Sequence, residues 1–170
     1  NKDEDQTGIK LYNNLIQGLG TKRNNKGLSF ERWNLTRIVE EVKDNMLSSQ
    51  LMPQHLAGLL NYICAQISDF DYGTMEWENQ LIPNWKNFLK TALQKPIDER
   101  KLRLIPIALV VLHHHKKQTP NAYPGWIDLI EWAMLAVWES YRTLTQVKLK
   151  KIVAAIWLHF YVRILEQYFI

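Results

Sequence analysis

Apolar residues recur every three or four positions along almost the whole chain, and nowhere do they settle into the two-residue alternation of a half-buried strand. That spacing gathers side chains on one face of a helix, and no Asn-Gly pair offers a hairpin instead. The expected fold is all-α: a single compact bundle of about six or seven helices over residues 1–170, with residues 1–8 as a polar tail. Apolar content of 46% and charged content of 22% are those of a globular chain with a real core, which excludes wholesale disorder.

Punctuation divides the periodic stretches. Ile9, Tyr12, Leu15, Ile16 and Leu19 mark a first helix that ends at Gly18/Gly20. Ser29 can cap a second helix reaching to about Gln50, with Trp33, Ile38, Val39, Val42 and Met46 turned inward. Pro53 fits the first turn of a third helix, where its missing N–H is harmless, followed by Leu56, Leu59, Leu60, Ile63 and Ile67. An acidic, aromatic connection, SDFDYGTMEWEN, separates it from a fourth helix that Pro83 is expected to open. A fifth is expected from about Pro96 to Gln118, kinked or divided by Pro106, and stopped by TPNAYPG. Trp126 to Tyr141 form a sixth and Thr145 to the C-terminus a seventh.

Trp33, Trp85, Trp126, Trp132, Trp138 and Trp157 all fall in helical patterns, where core packing with a satisfied indole N–H is the expectation. Trp77, in the acidic connection, is the tryptophan expected to contact a partner. The 19 residues from Ile152 to Ile170 are long enough to span a bilayer, but His159, Arg163 and Glu166 interrupt them, so no membrane span is expected.

Cys64 is the only cysteine, which forbids an internal disulfide and points to a reducing, cytoplasmic setting. The polar start leads to no expectation of a signal peptide; trimming, a tag remnant or origin inside a longer product would explain the lack of an initiator methionine. Catalytic patterns are missing too. Asp69-Phe-Asp71 reads as a solvated turn, and Ser68, His55 and Cys64 have no spacing that makes a triad, so no enzyme and no cofactor are expected.

Charge is distributed unevenly. The net charge is +4, but residues 100–170 hold ten Lys/Arg against four Asp/Glu. His113-His114-His115-Lys116-Lys117 closes the fifth helix, where cations complement the exposed carbonyls and the negative end of the dipole. Phosphate contact is the next reading. Metal comes last, because consecutive helical residues point about 100° apart and cannot converge three ligands on one ion. Arg142, Lys148, Lys150 and Lys151 follow with no acid among them. On the last helix Lys148, Lys151, Ala155, His159, Arg163 and Glu166 form one stripe that could track phosphates. Lys22, Arg23 and Lys26 form a further cluster near the N-terminus.

VKLKKIVAAIWLHFYVRILEQYF, a basic start to an aromatic-rich terminal helix, together with RLIPIALVVLHHHKK, resembles the small subunits of CRISPR effector complexes over the last 70 residues. The resemblance implies a non-catalytic subunit of a ribonucleoprotein that holds a DNA or RNA backbone through Lys/Arg contacts. It also implies partner subunits, copies of itself among them, and in some members translation from an internal start. The acidic connection 69–78 and the acidic tail depart from a uniformly basic binder and suit a basic neighbour. The alternative reading is a helical adaptor that binds protein and no nucleic acid.

Overall fold

The structure, a computed structural model, describes residues 9–14, 40, 42–44, 51–68 and 77–169, and within the last of these the side chains of 80–166. Every regular element among the described residues is helical, so the chain is an all-α bundle. The principal helices are α1 (Pro53–Ala65), α2 (Trp77–Ala92), α3 (Glu99–Gln118), α4 (Trp126–Thr143) and α5 (Val147–Phe169), with a 3-10 turn at Pro120–Ala122. Residues 9–14 and 42–44 are helical too, where the first two helices are expected. Tyr12 meets Tyr62 of α1 edge-on at 5.2 Å, and Val42 is buried in the core. The Ser29 cap, Trp33, the tail 1–8 and Asp69-Phe-Asp71 lie outside the described residues.

Local chemistry accounts for most boundaries. Pro53 occupies the first turn of α1 as expected. α2, however, starts at Trp77 and carries Pro83 inside it. Proline there withholds one N–H from the carbonyl four residues back, a loss the helix tolerates because Pro83 is exposed. Trp77 therefore begins a helix and does not sit in a loop. α3 starts at Glu99, later than expected, because the Asp98 carboxylate accepts a hydrogen bond from the Arg100 N–H at 2.8 Å and caps it. Pro106 does not divide it. At its other end the Thr119 hydroxyl donates to the His115 carbonyl at 2.7 Å, and His115, Lys116 and Lys117 occupy the last turn. Of the basic run, Lys116 and Lys117 are thus the cations placed beside the last carbonyls of the helix.

α3 is the central rod. Every residue from Leu102 to His113 is buried, with α1 and α2 packed on it and α5 against it as well. Two contacts give the direction of α5. Lys148 meets Glu99 at 3.3 Å, start to start, and His113 meets Glu166 at 3.3 Å, end to end, so α3 and α5 run parallel. α4 returns antiparallel between them in sequence, its end meeting the start of α3 through Lys95 and Thr143, and packs extensively on α5. Gln118 donates to the Leu51 carbonyl at 3.0 Å, which places the start of α1 beside the end of α3. Trp85 of α2 and Phe160 of α5, both fully buried, meet at 6.0 Å between ring centres. Asn84 donates to Asn61 at 3.0 Å inside the α1–α2 contact, a buried polar pair that fixes how the two helices face each other. Among the described residues no helix is long and apolar enough to cross a membrane.

Candidate functional site

The histidine end is mostly interior. His113 is 4% exposed; its Nε2 lies 3.3 Å from a Glu166 carboxylate oxygen and its ring packs 5.9 Å from Trp126. His115 is also buried, with Nδ1 at 2.7 Å from the Tyr123 hydroxyl. The two rings therefore point into different surroundings, as the helical spacing requires. Arg163, expected on the phosphate-tracking stripe, is 7% exposed and pairs with Glu166 at 3.5 Å. The stripe turns inward along α5: Lys148 and Lys151 are exposed, His159 half-buried and Arg163 buried. His113 and Arg163 thus offer no open surface to a phosphate, because the α3–α5 contact closes over them, and His115 is covered from the side of Tyr123. Of the basic run, Lys117 is exposed, while His114 and Lys116 are half-buried, Lys116 lying over the Trp126 ring at 5.5 Å.

Burial, reinforced by Arg163, Lys117, Lys116 and Lys43, pushes the His113 imidazole down to about 3. His114, His115 and His159 are lowered as well, each by burial first. At neutral pH all four are uncharged and attract no anion. The sign of the pH dependence follows. Below about pH 6.5 the unfolded chain takes up protons at these rings while the folded protein resists them, so stability falls as pH falls from there toward 3. Lowering pH from 7 to 5 should reduce the melting temperature, with His113 contributing at most about 2 kcal/mol, since the Glu166 carboxylate at 3.3 Å offsets part of its cost. Thermal unfolding at the two pH values measures this; an unchanged midpoint would mean that the rings ionise in place.

The opposite end of α3, about 20 Å from His113 by helix rise, is where exposed cations gather. Arg142 pairs with Glu139 at 2.9 Å, Lys148 with Glu99 at 3.3 Å, and the Lys150 ammonium lies 4.9 Å over the Tyr141 ring. Burial works to raise the Glu99 carboxyl, but hydrogen bonds and charge from Arg103 and Lys148 outweigh it and hold the group below its ordinary value. Lys151 is exposed. Lys95 joins them by donating to the Thr143 carbonyl at 3.0 Å, and exposed Arg100 stands beside Glu99 at the start of α3. Sequence reasoning missed Lys95 and Arg100. Lys95 has no basic neighbour in sequence, and only the meeting of the ends of α2 and α4 brings it to this place, whereas Arg100 opens the short basic run Arg100-Lys101-Leu102-Arg103 at the start of α3. Lys22, Arg23 and Lys26 lie outside the described residues.

Beside this end, α4 and α5 enclose a groove of about 360 Å³ lined by Trp138, Tyr141, Ala154, Trp157 and Leu158. Core packing was the expectation for its tryptophans. Trp138 is instead 47% exposed and Trp157 half-buried, while Leu135, Leu158, Tyr161 and Val162 are exposed around them. Trp138 stacks on Tyr141 at 5.5 Å and 19°, and Trp157 on Tyr161 at 5.3 Å and 12°. Trp132 is half-buried under Lys86 and Lys90, at 5.2 and 5.7 Å from its ring. Trp85 and Trp126 are core residues, yet the N–H of each lacks a protein partner among the described residues, against the expectation of satisfied indoles.

Of the residues that could suggest catalysis, His55 is kept apart from Cys64 and Ser68. His55 and Cys64 are nine residues apart on α1, roughly 13 Å along its axis. Burial raises the Cys64 thiol far above its ordinary value, leaving no thiolate to attack with. Ser68 is buried. No protein-family model matches this chain, and comparison with curated proteins and with solved structures found none similar to it.

Proposed function

We propose that this chain is a non-catalytic helical subunit that holds a nucleic-acid backbone, DNA or RNA, within a larger ribonucleoprotein assembly, as its resemblance to CRISPR small subunits implies. The observation that carries the reading is the convergence of Lys95, Arg100, Arg142, Lys148, Lys150 and Lys151 from four separate segments onto one end of the bundle. Their ion pairs with Glu99 and Glu139 are surface pairs, each contributing at most about 1 kcal/mol, and they yield readily to phosphate. Such a surface neutralises phosphates without reading bases, so affinity should be weak and salt-dependent.

Fluorescence anisotropy with short DNA and RNA strands at 50 and 200 mM salt tests this. With about four phosphate contacts, affinity should drop by some tens-fold between the two. Salt-independent binding, or strong sequence preference, would overturn the reading. The adaptor reading draws on the exposed apolar groove between α4 and α5, since monomeric proteins seldom leave such a surface uncovered. It moves ahead if the protein binds no nucleic acid at low salt and copurifies with protein alone.

A further inference from the structure

We infer that the α4–α5 groove is a stacking platform for unpaired bases, so that the nucleic acid held here is single-stranded. The inference rests on the nucleic-acid reading above and adds the class of strand. Ring geometry is its first support. Among the described residues buried ring pairs meet edge-on or tilted: Tyr123 with Trp126 at 84°, His115 with Tyr123 at 80°, Trp85 with Phe160 at 57° and His113 with Trp126 at 37°. The two pairs at the groove are nearly parallel, at 19° and 12°, and each has one exposed ring, Trp138 or Tyr161. An exposed ring stacked on one side keeps its other face for a flat partner, and every base has one.

Charge is the second support, and it favours a polyanion over an apolar protein segment. Lys151, Ala154, Leu158 and Tyr161 follow one another at three- and four-residue steps on α5, so Lys151 continues the groove-facing row by one turn. Arg142 stands one turn beyond Trp138 on α4, and Lys150 lies over Tyr141. The groove therefore runs into the basic end. Bases stacked on Trp138 and Tyr161 would leave their phosphates beside Arg142, Lys150 and Lys151, the pairing of aromatic platform and cationic track that single strands require. A duplex hides its base faces and could use only the cations.

Equilibrium binding at low salt tests this with three probes of equal length: a single strand, the same strand with abasic sites, and its duplex. The intact single strand should bind at least tenfold more tightly than either of the others. Trp138→Ala and Tyr161→Ala should each weaken single-strand binding by roughly five- to a hundredfold, while Trp138→Phe retains most of it. Both rings are exposed, so unfolding midpoints should stay near that of the unmodified protein. If abasic and intact strands bind alike and the alanine variants bind normally, the platform is overturned and the backbone-holding role stands. Should no probe bind at all, both fall. If the alanine variants lose a protein partner while strand binding is unchanged, the groove is a protein-docking face and the inference is overturned.

Discussion

Replacing Trp85 with alanine should destabilise the protein by roughly 3–5 kcal/mol. Trp85 is fully buried where α2 meets α5, its ring 6.0 Å from that of Phe160, which is equally buried. Truncation removes a large apolar surface and leaves a cavity walled by two helices that α3 also holds in place, so little collapse can fill it. The Trp85 N–H has no protein partner among the described residues, so no bond to any of them is lost with it. Trp85→Phe should cost far less, about 1 kcal/mol, because an aromatic ring still fills most of the site. Against an ordinary domain stability of about 5–15 kcal/mol, the alanine variant should unfold at a clearly lower denaturant midpoint. Trp157→Ala gives the contrast. It sits half-buried at the groove, so its cost should be nearer 1 kcal/mol. Denaturant unfolding of all three variants checks the ranking; equal losses for Trp85→Ala and Trp157→Ala would mean that the groove is part of the core.

Reversing charge at Lys148 and Lys151 together should lower nucleic-acid affinity by well over an order of magnitude, while the bundle stays folded. Each Lys→Glu change removes one phosphate attraction and adds one repulsion, and both side chains are exposed. The folding cost is small. Lys148 gives up a surface pair with Glu99 at 3.3 Å, but Arg103 still holds Glu99 at 2.9 Å, and the Asp98 cap of α3 remains. The salt dependence of the residual binding should also flatten, because fewer cations are released. Arg163→Glu offers a stringent comparison. That side chain is buried beside Glu166 and His113, so its reversal should unfold the protein and not merely weaken binding. Anisotropy together with circular dichroism separates the outcomes. A double lysine variant that binds normally would make this end of the bundle merely solvated.

The sequence by itself determined the helical class and most of the helix boundaries, because both are set by neighbours within a few residues. The three- and four-residue rhythm places α1, α3, α4 and α5 within a few residues of where they lie, and Pro53 and TPNAYPG act through the local backbone. Pro83 misled because proline suits either the first turn or an exposed interior position, and only packing distinguishes them. The tertiary structure alone decided which polar residues face water. α5 is apolar around most of its circumference, so periodicity could not tell the groove side, with Trp157 and Leu158, from the core side, with Ile156 and Phe160. Arg163 was expected at the surface because it falls on the polar stripe of α5, and His113 because it opens the basic run; both are buried, with Glu166 between them across the α3–α5 contact. Lys95 reached the basic end through the Thr143 carbonyl, 48 residues away. Burial and charge convergence depend on contacts between distant segments, and a local pattern carries no record of which faces will meet.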